Sequence, residues 1–477
     1  MNKKATLQNG ESVNLADKSK SSTNLGVAGK RKKLHQLFFP IFFEILFMML
    51  AGMVDTLMLS TEGDQAVGAV GTANTYVSLF LIMFSVISSG MVAVMTQYIG
   101  AGRPGVAKQA MKIGLAFNAV LGVVVTGALV LGAEPILEAV GIARDLEAPA
   151  KIYLQVVGMF CLCNAITPIL SSYLRSFGHT TPTLTATLVS NLINVALNAF
   201  FLFVMEWGVL GVALATGISR LVNLLWIALA VKRRIKLEDE PNAPKNREIF
   251  GKIIWVGLPA AMETMLYNLA ITLVISMLNR MDDTGMQATA RAYTLQIANF
   301  SYCVSAALAH ANAVLVGWCL GAGEQDECVR LTRKATVLGI GAGVITAGIF
   351  AIFSAPIVGI FTDDPEMIRL VGALLFVDVF LEIGRASNLV YGYALKTSGD
   401  AVFPMVIAVI FMFLCAVGGA WLFGMKLGYL AIGAYVGMAL DECVRAVLMR
   451  ARWRSGRWKR LSLVKAESAD KSNSKTD

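Results

Sequence analysis

The chain has 477 residues, 56% of them apolar and only 15% charged, with a mean hydropathy of +0.64. That balance excludes an ordinary soluble domain and places the chain in a bilayer. The net charge of +9 is accounted for by membrane topology rather than by nucleic acid, because the basic residues concentrate in alternate connecting segments.

In chain order, residues 1–36 are rich in Lys, Ser and Asn without apolar periodicity, which predicts a disordered cytoplasmic leader. No cleavable signal is evident, since the first apolar stretch is long enough to span. A crossing helix needs about 20 apolar residues. Such stretches lie at 37–60, 74–99, 112–133, 151–174, 182–204 and 209–231, then at 253–278, 294–319, 335–357, 370–393, 402–424 and 429–449. The expected fold is therefore all-α and integral to the membrane, with twelve transmembrane helices in two six-helix repeats. The first lobe is expected at 37–231, a cytoplasmic linker with Pro241 and Pro244 at 232–252, the second lobe at 253–449, and a basic cytoplasmic tail at 450–477. Trp453 and Trp458 among the tail arginines suit anionic lipid headgroups.

Charge sets the orientation. With both termini inside, the inner segments hold Lys30-Arg31-Lys32-Lys33, Arg103, Lys108, Lys112, Lys232-Arg233-Arg234, Arg330, Arg333, Lys334 and the tail; the outer loops hold Arg144, Lys151, Arg280, Arg369 and Lys426. This asymmetry predicts a plasma (inner) membrane protein with both ends in the cytoplasm.

The chain also repeats itself at a spacing of about 220 residues. Leu174-Arg175-Ser176-Phe177-Gly178 recurs as Leu395-Lys396-Thr397-Ser398-Gly399, Pro40-x-x-x-Glu44 as Pro259-x-x-x-Glu263, and Gly100-Ala101-Gly102 as Gly321-Ala322-Gly323. A parallel duplication of apolar segments is how many secondary transporters build two bundles around a midplane site. Enzymatic and metal chemistry find no constellation: the seven cysteines show no pairing pattern, and His35, His179 and His310 are far apart. Neither a cofactor nor an enzyme is expected, and the Gly-Ala-Gly pairs read as turns, not phosphate loops.

Ionisable groups within a span cost about 2.5–3.5 kcal/mol each on insertion scales, so those present face the protein interior. In the first span Glu44 and Asp55 fall within about 20° of one helix face, roughly 16 Å apart in height. Asn191, Asn194 and Asn198 form one stripe in the fifth span, and Thr216 adds a hydroxyl in the sixth. A carboxylate, amide oxygens and a hydroxyl are hard donors suited to Na⁺. They suit a proton equally well, and asparagine stripes also glue membrane helices together. In the second half Glu263 repeats Glu44, but apolar residues stand where Asp55 would recur. There the tenth span carries Asp378, Glu382 and Arg385 on one face. An ion pair among them would neutralise itself and lock helices together; Glu263 is expected to pair with Arg291, and Asp441 with Arg445.

Six sequence segments taken in order resemble the multidrug and toxic compound extrusion (MATE) family. They are AGMVDTLML from Ala51, QYIGAGRP from Gln97, SYLRSFGHTTPT from Ser172, SNLINVALNAFF from Ser190, GVLGVALATG from Gly208 and LKTSGD from Leu395. The resemblance covers about Leu37 to Arg452. It implies a V-shaped antiporter that exports amphipathic, often cationic, small molecules in exchange for Na⁺ or H⁺. By the same resemblance, Asp55 matches the family's first-helix cation-binding acid, Asn194 and Asn198 its fifth-helix polar pair, and Thr216 its sixth-helix hydroxyl. Some members carry an acid where Asn198 stands, which leaves the coupling ion open. Members with a second-lobe site place acids on the seventh and tenth helices; Glu263 is in the right helix, but Arg385 would be superfluous there. A monomer is expected. The alternatives are a transport-inactive membrane scaffold and a flippase for a lipid-linked saccharide, whose cavity would be lined with basic residues; only Arg220, Arg291, Arg385 and Arg445 count as lying inside spans.

Overall fold

The computed structural model describes residues 32–140, 144–282 and 284–464, so most of the segment read as a leader and the end of the basic tail lie outside the described residues. The first half contains α1 (Leu34–Leu59), α2 (Asp64–Gly100), α3 (Pro104–Leu131), a short α4 (Ala133–Val140), α5 (Arg144–Met159), α6 (Cys161–Ser176), α7 (Thr181–Ala199) and α8 (Gly208–Arg234). The second contains α9 (Asn246–Leu278), α10 (Met286–Gly321), α11 (Gln325–Ile352), a short α12 (Ser354–Val358), α13 (Pro365–Thr397), α14 (Val402–Phe411) and α15 (Leu430–Arg454).

Several boundaries differ from the sequence reading, each for a local reason. Helix α1 starts at Leu34, inside the expected leader, because Leu34 and Leu37 are already buried. The fourth expected span is broken at Phe160 into α5 and α6, which meet at 45°. Helices α7 and α14 each wind out into π turns, Phe200–Val204 after α7 and Met412–Val417 and Ala420–Lys426 after α14. Asn198 lies two residues before the first of these, and π turns often mark functional positions.

Among the described residues nine helices are long and apolar enough to cross a membrane, or ten if the bent pair counts as one span. The twelve spans expected therefore reduce to ten on apolarity alone. The shortfall falls on α13 and α15, which are 33 and 25 residues long but carry Asp378, Glu382, Arg385, Asp441, Glu442 and Arg445 near mid-length. Helix α10 is the opposite case. Its most apolar stretch is 89% buried, as expected of a helix surrounded on all sides by other helices; it packs on α1, α2, α11 and α13.

The halves are joined through repeat-related contacts. A Cβ on Gly100 would stand 2.2 Å from the Trp318 carbonyl oxygen, and one on Gly321 would stand 1.9 Å from that of Gln97. Only glycine permits α2 and α10 to cross at that distance. Beside the crossing, Gln97 Nε2 donates to Thr397 O at 2.7 Å and Trp318 Nε1 donates to Ser176 O at 2.8 Å. Gln97 and Trp318 are related by the repeat, as are Ser176 and Thr397, so the two bonds are one interaction made twice. Both ends of the described residues gather at this face: Lys32 Nζ donates to Gly178 O at 2.7 Å, and Gln97 Oε1 accepts from Leu463 N at 2.9 Å and Ser462 Oγ at 3.0 Å. It is called the terminal face below.

Candidate functional site

A chamber of about 650 Å³ lies between the halves. Its walls come from α1, α2, α6, α7 and α8 on one side and from α9, α10 and α13 on the other.

Asp55 stands in the chamber wall near the far end of α1. Helix α7 packs against α1, and its stripe of amides turns toward that acid. Asn198 Nδ2 donates to Asp55 Oδ1 at 2.8 Å, and the same nitrogen lies 3.4 Å from Asn194 Oδ1. Asn198 is fully buried and its Oδ1 has no hydrogen-bond partner among the described residues. An orphaned buried amide oxygen beside a carboxylate is the arrangement a small cation would complete. Asn194 and Thr216 line the same chamber. Asn191, at the other end of the stripe, donates to Phe47 O at 2.9 Å and so ties α7 to α1. Asp55, Asn198 and Asn194 are thus in one chain of contacts, Thr216 shares the chamber wall with Asp55 and Asn194, and Asn191, also in the lining, is bonded to the α1 backbone.

Two further polar contacts lie in the first half. Arg220 of α8 lines the chamber and donates to Asn164 Oδ1 at 2.5 Å. Tyr153 of α5 donates its hydroxyl to Asn74 Oδ1 at 3.1 Å. Neither Tyr153 nor Asn74 carries a charge or a repeat signature, so nothing in the sequence singles them out.

Glu44 and Glu263 are paired rather than free. Arg175 Nη2 lies 2.5 Å from Glu44 Oε1, and Thr183 Oγ1 donates to Glu44 Oε2 at 2.8 Å. Lys396 Nζ lies 2.8 Å from Glu263 Oε2. The expected partner of Glu263 was Arg291, and the structure corrects this: Arg291 is buried and makes no ion pair among the described residues. The signal was in the repeat itself. Glu44 and Glu263 belong to one duplicated motif, Arg175 and Lys396 to another, and each acid meets the base of its own half. Arg175 and Lys396 both line the chamber, two bases at the ends of their spans beyond the four expected inside them. His310 lies with them in the lining, its ring edge-on to Tyr393 at 4.7 Å.

The remaining predicted residues form a separate network between α13 and α15. Arg385 pairs with Glu382 and lies 3.9 Å from Asp378, and Ser305 Oγ donates to Glu382 Oε2 at 3.4 Å. Arg445 holds Asp441 at 2.6 Å and Glu442 at 2.8 Å, and Asn388 Nδ2 donates to Glu442 Oε2 at 2.8 Å. The void beside this network is about 10 Å³, room for one water at most. Among the described residues there is no group of three or more His, Cys, Asp or Glu side chains able to hold a metal ion.

Comparison with known proteins supplies the family. The MatE family model matches residues 40–200 and again 259–422, starting each time at the repeated proline. The chain belongs to the MatE family. It is similar to the uncharacterized transporter YisQ of Bacillus subtilis (strain 168), with 32% identity over 90% of this chain and 96% of the relative. It is also similar to the probable multidrug resistance protein NorM of Thermotoga maritima, with 25% identity over 92% of this chain and 95% of that one. Its fold matches a solved multidrug resistance MATE family transporter of the MOP superfamily in an outward-facing conformation, with a TM-score of 0.82 and 18% identity over 89% of this chain and 96% of the other. This MatE protein is accordingly a transmembrane transporter with multidrug efflux relatives, and members of its family are transporters rather than enzymes.

Proposed function

We propose that the protein is a secondary active antiporter that exports amphipathic, often cationic, small molecules in exchange for Na⁺ or H⁺. It acts as a monomer, with its terminal face toward the cytoplasm of a plasma membrane. The observation that carries this reading is the Asp55–Asn198 contact in the wall of a chamber bounded by both halves. A cation arriving at Asp55 meets a carboxylate, the unpartnered Oδ1 of Asn198, Asn194 and the Thr216 hydroxyl; a proton needs the carboxylate alone. In either case neutralising Asp55 removes the attraction that holds a cationic cargo. The ion then displaces the cargo through one side chain of α1.

Energy favours such an exchange. Moving one charge across ~100 mV yields about 2.3 kcal/mol, equal to roughly a 50-fold concentration gradient. Swapping one monovalent cargo for one cation cancels the electrical part, leaving the ion's own gradient as the drive. The orientation rests on the basic residues Lys33, Arg103, Lys108, Arg330 and Lys334, which lie near the terminal face. Arg175, Arg220 and Lys396 in the chamber favour a second reading, a flippase for an anionic lipid-linked cargo. Glu44 and Glu263 neutralise two of those three bases, which weakens that reading.

The test is export of a fluorescent cationic dye from proteoliposomes, with Na⁺ and pH gradients imposed separately. Antiport predicts dye movement under one of the two gradients and none without a gradient. Dye that stays put under both refutes it.

A further inference from the structure

Between α1, α10 and α11 at the terminal face there is a second cavity, of about 490 Å³, within the range of small-molecule sites. Its floor is apolar, formed by Leu308, Leu315 and Trp318 of α10. Its sides are also apolar and open outward: Phe39 of α1 is 53% exposed and Leu338 of α11 is 47% exposed. The rim is basic, with Lys32, Lys33, His35, Arg330 and Lys334. The single acid of the lining, Glu327, is taken by Arg330 at 2.7 Å, and Lys32 is engaged with Gly178 O. Among the described residues Lys33 and Lys334 have no acidic partner.

The repeat-related place in the first half identifies the chemistry this groove is built to hold. Helix α3 corresponds to α11, and its basic residues are fully subscribed by the segment joining the halves. Arg103 pairs with Glu240 at 2.7 Å, Lys112 pairs with Asp239 at 2.9 Å, and Lys108 donates to Leu237 O at 2.7 Å. The same segment packs Ile235 and Leu237 against the core, and Phe250 of α9 closes on Phe117 of α3 with ring centroids 5.4 Å apart. In the first half, then, an amphiphile with acidic groups and apolar side chains lies over the basic turn of the third helix, and the chain itself supplies it. Among the described residues no second segment does so for α11, and its groove is open beside Lys33, Arg330 and Lys334.

We infer that the α1–α10–α11 groove binds a phospholipid with a net negative headgroup from the leaflet at the terminal face, its acyl chain along Phe39 and Leu338 and its phosphate between Lys33, Arg330 and Lys334. Basic pockets between transmembrane helices take anionic headgroups for the reasons of charge and depth that apply here. The groove is walled by one helix of the first half and two of the second, so an occupant bridges the halves at the face where they meet. This inference rests on the bilayer setting alone and stands or falls apart from the coupling role of Asp55.

The test uses the purified full chain in detergent, titrated with phosphatidylglycerol or phosphatidylcholine of the same acyl chains, with bound lipid read by native mass spectrometry. Phosphatidylglycerol should bind at least ten-fold more tightly than phosphatidylcholine. The triple variant Lys33→Gln, Arg330→Gln, Lys334→Gln should weaken that binding on the order of 100-fold, at about 1 kcal/mol per basic residue, and Leu338→Trp should weaken it by filling the groove. Equal binding of the two lipids, or retention in the triple variant, overturns the inference. Competition by millimolar inorganic phosphate as strong as by the lipid overturns it in favour of a free anion. Phosphatidylglycerol affinity that rises more than ten-fold on removal of residues 1–31 overturns it in favour of the chain's own leader as occupant.

Discussion

In the first half Asp55, with no basic partner within bonding distance among the described residues, stands at the wall of a 650 Å³ chamber and is bonded to the Asn198 amide; in the second half Glu382 is bonded to Arg385, Asp441 and Glu442 to Arg445, and Asp378 lies 3.9 Å from Arg385, with a void of only 10 Å³ alongside. Both arrangements grew from one duplicated bundle. The parts of the frame that face the partner half were kept in pairs, Glu44–Arg175 with Glu263–Lys396 and Gln97–Thr397 with Trp318–Ser176. What diverged is the compensation of buried charge. A buried charge with partners built in holds helices together, and removing one partner is costly. A charge left with an incomplete shell and open space beside it can exchange its partner.

That contrast can be broken most severely in the second half. Arg385→Met leaves Glu382 and Asp378 buried without their counter-charge and should cost about 3–5 kcal/mol of stability, read as a large fall in the thermal unfolding midpoint in detergent. A midpoint within a degree of wild type would mean that the network holds nothing. Next comes the joint between the halves. Gln97→Ala removes the donor to Thr397 O and the acceptor for Leu463 and Ser462, and about 2 kcal/mol should be lost. The same unfolding measurement decides it.

Asn198→Ala sharpens the comparison from the other side. It removes one hydrogen bond to Asp55 and should weaken coupling-ion affinity about ten-fold, measured as a rise in the ion concentration that half-saturates export, with unfolding little changed. If instead stability falls as far as in Arg385→Met, the first-half site is a lock as well. The smallest effects belong to the repeated ion pairs. Glu44→Gln and Glu263→Gln should each cost about 1 kcal/mol, because both bases look onto the chamber and regain solvent there. A strongly unequal pair of values would show that the repeat conserved the contact but not its role.

Much of this architecture is visible in the amino-acid order. Apolar stretches mark ten of the twelve expected spans, and the motif repeats mark the duplication, because a duplicated helix pair leaves its turn glycines and its acids at constant spacing. The stripe Asn191, Asn194, Asn198 is legible as one face of a helix, and one of its members, Asn198, meets Asp55 while lying against Asn194. Partner choice across helices is not. Arg291 is the partner the sequence suggests for Glu263, but helical periodicity carries no information on which of α10 or α13 turns toward α9; only packing places Lys396 there. Tyr153 and Asn74 were invisible for the same reason, as were the break at Phe160 and the π turns, which arise from tertiary crowding rather than composition. The charges on α13 and α15 hid those helices from an apolarity count because their cost is offset by neighbours far away in sequence.

The most direct measurement on Asp55 is gradient-driven dye export by Asp55→Asn in proteoliposomes, run beside wild type under the Na⁺ and pH gradients with matched reconstituted amounts. The exchange of charge between ion and cargo requires a carboxylate at that position, so coupled export should vanish in the variant while its unfolding midpoint stays close to wild type. Export at the wild-type rate from a folded Asp55→Asn protein would contradict the account.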